Sequence, residues 1–226
     1  ERVSALMTLT ETTNEYYICI SSEDATGSTA AELNAINNAT YVPVNLTNVR
    51  GISSSSLADI GILFSSIGNN EFINAEGFTD IQVSNEIVDG TILESIIDTY
   101  DAINVGGTTG ITLASGAIID IDVTKLSHML LDELQSRLTI SDQNIVIHNG
   151  TISAHDAKLL DSTTTGKVTA SIDRTTLVDS LKTLTGTNNE FTIVISSEDA
   201  TGSTASELIA IDLSLIHISE PTRPAL

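Results

Sequence analysis

Apolar residues recur along this chain in two rhythms. In the first they return every three or four positions, the mark of an amphipathic helix. Leu57, Ile60, Phe64 and Ile67 share one face, as do Leu126, Met129, Leu130 and Leu134. Leu177, Leu181 and Leu184 do the same, and Leu208 with Ile211 makes a shorter stripe. In the second rhythm, short β-branched runs predict strands at 16–20, 42–46, 81–83, 111–113, 144–147, 167–170 and 191–195. Ile145-Val146-Ile147 and Ile193-Val194-Ile195 are apolar without alternation. That is the habit of parallel strands buried on both faces.

Helix-start chemistry marks the same alternation. In a capping box a Ser or Thr accepts from an early helical N–H while an acid three residues on reaches back. Thr29/Glu32, Thr91/Glu94, Ser153/Asp156 and Thr204/Glu207 fit, with starts 62, 62 and 51 residues apart. An interleaved series holds Ser56/Asp59 and Thr176/Asp179, with Thr124 at the matching place but Ser127 as its third residue.

The text also repeats. Residues 14–37 align with 189–212 at an offset of 175, with 18 of 24 positions identical, and Ile20 to Ala30 recurs unchanged as Ile195 to Ala205. A fainter copy relates 109–115 to 165–171 at an offset of 56. Strand follows helix at about 25 to 35 residues per step, and successive parallel strands need such a crossover. The expected fold is therefore a repetitive α/β solenoid, with a parallel sheet of about seven strands and alternating crossover helices. The alternative is a parallel β-helix whose apparent helices are loops, against which the capping boxes weigh. Approximate units are 1–40, 41–107, 108–163 and 164–212, the first and last incomplete.

Leu213 to Arg223 reads Leu-Ser-Leu-Ile-His-Ile-Ser-Glu-Pro-Thr-Arg, which resembles one translated frame of a transposase adapter used in sequencing libraries. Residues 213–226 are accordingly read as an adapter-derived tail, and His217 is set aside as a ligand. The chain starts at Glu1 rather than Met, and is read as an internal piece of a longer frame.

Composition narrows the class. Of 226 residues 41% are hydrophobic but only 4% aromatic, so the core must be aliphatic. Thirty acidic residues against nine basic ones give a net charge of −21. Such a surface repels phosphate backbones, which disfavours nucleic acid as a partner. The acids have three readings: solubility in a salty medium, oxygen ligands for calcium, and helix caps. The first and third outweigh the second. No run approaches the roughly 18 apolar residues of a membrane helix, so no membrane insertion is expected. Cys19, between Ile18 and Ile20, is expected to be a buried structural thiol.

Ile152-Ser153-Ala154-His155-Asp156-Ala157-Lys158-Leu159-Leu160-Asp161, followed by Thr163-Thr164-Thr165-Gly166-Lys167-Val168-Thr169-Ala170-Ser171, resembles the ISAxxLNxIDxxTTGxVTAS repeats of giant extracellular proteins of cyanobacteria and other aquatic bacteria. The resemblance spans about residues 1–212 and is strongest after Gly106. It implies a secreted or cell-surface location and a structural or adhesive role. The calcium-binding nonapeptide G-G-x-G-x-D of some such proteins is absent from this sequence.

The best site candidates are the duplicated loops 21–28 and 196–203. Glu23 with Asp24, and Glu198 with Asp199, could offer carboxylates to calcium. A solvated turn is the stronger reading, because neither loop has the alternating acid spacing of an EF-hand. Asp120-Ile121-Asp122 puts two carboxylates on one strand face, read as the polar side of a sheet edge. His128 falls in a helix, His148 precedes an Asn149-Gly150 turn, and His155 lies in a capping box. None has nucleophile or zinc spacing, so no catalytic residue and no enzyme are expected. The sequons at Asn38, Asn45 and Asn149 are expected to go unread in a bacterial protein. The expected function is a structural or adhesive spacer segment of a large extracellular bacterial surface protein. Its expected partners are neighbouring repeats of the same chain and cell-surface glycans. The alternatives are a calcium- or glycan-binding repeat module and, more remotely, a polysaccharide-acting enzyme.

Overall fold

The computed structural model describes residues 3–9, 15–20, 27–103, 110–125, 138–173, 178–184, 188–194, 204–206 and 209. The helices there are α1 (Val3–Leu6), α2 (Ala30–Asn37), α3 (Leu57–Gly68), α4 (Gly90–Ile103), α5 (Ala154–Thr163) and α6 (Val178–Leu181). The strands are β1 (Val44–Asn45), β2 (Gly51–Ser55), β3 (Phe72–Ile73), β4 (Asp80–Val83), β5 (Ile87–Asp89), β6 (Gly110–Leu113), β7 (Ile118–Asp122), β8 (Leu138–Thr139), β9 (Asn144–His148), β10 (Val168–Ile172) and β11 (Glu190–Ile193).

All strand pairs are parallel, as expected, but they form three sheets rather than one of about seven strands. The orders are β1-β3, β2-β4-β6-β8 and β11-β10-β9-β7-β5. In each pair a residue meets one 21 to 31 positions further along, as Ala170 meets Phe191 and Ile87 meets Ile118. Equivalent side chains therefore stack. Ile52, Ile81, Ile111 and Leu138 make one buried ladder. Val88, Ile119, Ile145 and Val168 make another, each with no exposed surface. Burying one such side chain contributes roughly 1.5–3 kcal/mol, so the ladders add cohesion between successive strand-to-strand segments, or coils, of the chain.

The strands alternate inward and outward. Val146 is half-buried between the buried Ile145 and Ile147, so an unbroken apolar run here does not mean burial on both faces. A parallel sheet usually hides both faces; this one leaves its polar side to solvent. The same alternation corrects the reading of Cys19, which is exposed between the buried Ile18 and Ile20.

The segments capped at Thr29, Ser56 and Ser153 are helices, not loops. Thr29 forms a full capping box with Glu32, and the hydroxyls of Ser56 and Ser153 accept from the amides of Asp59 and Asp156. Thr91/Glu94 is not a box. Asp89 caps α4 instead, its Oδ1 accepting from the amides of Thr91 (2.8 Å) and Ile92 (3.3 Å), while Glu94 is buried. Ending β5 on an Asp places the cap two residues earlier than the Thr pattern predicts. The predicted stripe at 126–134, Ser127, Thr176, Leu177, Glu207, Leu208, Ile211 and the tail 213–226 lie outside the described residues.

Helices α2, α3 and α4 lie side by side. Phe64 of α3 sits 6.1 Å from the Phe78 ring and 6.4 Å from Tyr100 of α4, whose hydroxyl donates to the Phe78 carbonyl at 2.7 Å. The first amides of α2 and α3 are each satisfied by the next coil. Ala30 N donates to Ser55 Oγ at 2.9 Å, and Leu57 N to Asn85 Oδ1 at 2.6 Å. A helix start leaves such donors unpartnered unless a side chain meets them.

Candidate functional site

Glu23, Asp24, Glu198 and Asp199 lie outside the described residues, as does His128. Attention therefore falls on the polar ends of the strands, where carboxylates and imidazole come together.

The outward face of the five-stranded sheet carries several charged side chains. Its register runs from Asp89 through Asp120, Val146 and Thr169 to Glu190. One step further, Asp122 pairs with His148. Asp120 and Asp122 do share a face, but β7 lies inside the sheet between β5 and β9, not at an edge. They then part company. Asp120 Oδ1 sits 3.0 Å from His148 Nε2, both side chains being 42% exposed. Asp122 is buried and turns to the backbone beyond its strand.

Asp122 Oδ1 accepts from the amide of Thr124 at 3.0 Å and from its hydroxyl at 2.6 Å. Its Oδ2 accepts from the amide group of Asn149 at 3.0 Å, with Lys125 Nζ at 3.5 Å. The Thr124 hydroxyl and the Asn149 amide hold its carboxyl far below the usual carboxylate range, against the opposing effect of burial. An Asp accepting from the residue two places on is an Asx turn, which mimics a backbone turn. Asn149 itself has a left-handed backbone, with φ 59°.

The same arrangement stands at the end of β1. Asn45 Oδ1 accepts from the amide (2.9 Å) and hydroxyl (2.6 Å) of Thr47, and from the side-chain amide of Asn74 at 3.1 Å. Asn74 is also left-handed, with φ 58°. Two sequons, at Asn45 and Asn149, are thereby engaged in the fold. Each turn is an Asx-x-Thr closed by an Asn from the next coil.

Other polar side chains repeat this use. Thr164 Oγ donates to the Gln143 carbonyl at 2.6 Å, and Thr165 Oγ to the Ser141 carbonyl at 2.8 Å. Gly166 then passes so close that a Cβ would collide with the Gln143 carbonyl oxygen. The Thr-Thr-Gly of the repeat text thus seats one coil against the one before. Asp142 is held below its ordinary value by the Ser115 hydroxyl and the Gly116 amide of the preceding coil. Glu71 is lowered by the Ser66 hydroxyl and by Asn37, whose amide lies 2.7 Å away. Glu71 borders a recess of about 440 Å³ with Asn37, Thr40, Tyr41 and Asn70.

Among the described residues no group of three or more His, Cys, Asp or Glu is placed to hold a metal ion. His155 stands exposed in the first turn of α5. No described helix is long and apolar enough to cross a membrane. The Asn-closed turns escaped the sequence reading, since their partners lie 29 and 27 residues apart. The available signal was the pairing of Asx-x-Thr with a later Asn at the coil spacing. Comparison with protein-family models, with curated proteins and with solved structures finds no match to this chain.

Proposed function

We propose that this chain is a segment of an α/β solenoid that serves as a structural or adhesive spacer in a large secreted bacterial surface protein. The carrying observation is where the polar side chains go. Asp122, Asp142, Asn45, Gln143 and Thr164 each bond to a coil next to their own, instead of converging on an open recess. A stack whose polar groups join unit to unit is suited to bearing length and load. Its acidic surface suits a salty medium, where ions screen the self-repulsion of 21 net negative charges. The resemblance to extracellular repeats supports the location. On this reading the partners are neighbouring repeats and surface glycans, and no reaction is performed.

A calcium-binding module is the competing reading, and the two Ser-Ser-Glu-Asp loops make it testable. Thermal melts in sodium and in calcium chloride at equal ionic strength separate the two. For the spacer, calcium adds nothing beyond screening. For the module, calcium binding only the native state adds RT ln(1 + [L]/Kd), and replacing Asp24 and Asp199 with Asn removes the gain. A calcium-specific rise that vanishes in that double variant would overturn the spacer reading.

A further inference from the structure

The repeated text at 14–37 and 189–212 occupies two different surroundings. In the first copy Ile18 and Ala30 are buried, Ala30 completely. Their counterparts in the second copy, Ile193 and Ala205, are half-buried and exposed. Ile209, standing where the first copy has the half-buried Asn34, is 56% exposed. Same residues with different burial means that a neighbour differs.

In the first copy that neighbour is the coil 42–68. The amide of Asn45 donates to the Ile18 carbonyl at 2.9 Å, and its carbonyl accepts from the Ile20 amide at 3.2 Å. Ser55 Oγ covers the amide of Ala30, and α3 packs on α2. The second copy is held from the opposite side: β11 pairs with β10 and, among the described residues, is the outermost strand of its sheet. Between them the two copies display both edges of one unit, one filled by β10 and the other by the coil of Asn45.

We propose that the outer face of the second copy, formed by the β11 edge with Ala205 and Ile209, is a docking surface for one further strand–helix coil of the 42–68 kind in parallel register. The proposal rests on the stacked-coil reading above and names its partner. Recognition is mostly through backbone groups, which do not change between the copies. An incoming strand donates to the Ile193 carbonyl, an incoming hydroxyl or amide oxygen covers the Ala205 N–H, and an apolar helix stripe covers Ile209. In place of the hydrogen bond from Asn34 to the Asp59 carbonyl (2.9 Å), Ile209 offers an apolar contact.

The test appends residues 38–68 directly after Asp212, reproducing the connection that follows Asn37. The reference is the chain ending at Asp212, and the control is the same extension with Leu57, Ile60, Leu63 and Phe64 of the added copy changed to Ser. Hydrogen exchange of segments 190–194 and 204–209 is the readout. The authentic extension is expected to slow exchange there by at least about tenfold, as a local opening becomes coupled to a larger unit. No slowing, or equal slowing by the polar control, overturns the proposal. Protection that rises with protein concentration in the reference chain assigns the face to a second copy and overturns it too. If the β9 and β10 amides exchange freely in the reference chain, the stack itself is wrong. If they are protected while 190–194 ignores the extension, only the docking surface falls.

Discussion

The turns after β1 and after β7 are built on one plan around different atoms. At the first, a neutral amide oxygen of Asn45 gathers three hydrogen bonds; at the second, the ionised carboxylate of Asp122 gathers the equivalent three and a lysine at 3.5 Å. In both, the closing donor is an Asn with positive φ from the next coil. The charge is therefore dispensable to the geometry. It strengthens individual bonds, since ionised acceptors bind donors more tightly, and it ties one junction to pH while leaving the other indifferent. A strongly perturbed carboxyl is often taken as a functional signal. Here the uncharged twin makes the same contacts, so the perturbed carboxyl does not by itself mark a functional site.

The comparison breaks hardest at the closing asparagines. Asn74→Val and Asn149→Val each place a β-branched residue at positive φ and remove the inter-coil bond. Each is expected to cost about 1–3 kcal/mol in urea unfolding; no loss at either site would show that the junctions do not couple coils. Next comes the hub of the neutral junction. Asn45→Ala leaves the Thr47 and Asn74 donors to water and is expected to cost about 1–2 kcal/mol by the same measurement.

Acid then separates the twins. The carboxyl of Asp122 is lowered in the folded chain, so its contribution is complete above the unfolded value near ~3.9. It is lost as pH falls from there toward the folded value. Below about pH 4 the Thr124 amide should exchange faster, after correction for intrinsic rates, while that of Thr47 keeps its protection. Equal behaviour at both would sever the link to Asp122. The smallest effect sharpens the point: Asp122→Asn converts one junction into the other. At neutral pH its melting temperature should move by only about 2 °C, and the acid sensitivity of the Thr124 amide should vanish.

Local chemistry was legible in the sequence, and chemistry spanning two coils was not. The boxes at Thr29, Ser56 and Ser153 need only residues three apart, and each starts a helix. The seven predicted strand runs all contain residues that pair in parallel, though 16–20 contributes only a bridge at Cys19. The second strand of a coil was harder to see. In β2, Ser53, Ser54 and Ser55 resemble a loop, and β3 and β8 have two residues each. Such strands exist because a neighbour already offers a ladder, not because of their own β propensity. Asp122 looked like a sheet-edge acid for the same reason: Asn149, which engages it, comes 27 residues later. The calcium candidates Glu23, Asp24, Glu198 and Asp199 still rest on their sequence pattern, and the salt comparison addresses them directly.

The narrow range of partner separations in the ladders bears on how such a chain acquires its shape. Among the described residues every strand partner is found 21 to 31 residues away. Closing a loop costs entropy that grows with the logarithm of its length. Here that cost differs little from one pair to the next, since the separations all lie between 21 and 31 residues. Folding speed is governed by the sequence separation of contacts, so a longer array need not wait on distant segments to meet. On the stacked reading proposed above, each unit finds its partner strand in the one just before it, so a coil can settle on its predecessor as the polypeptide emerges.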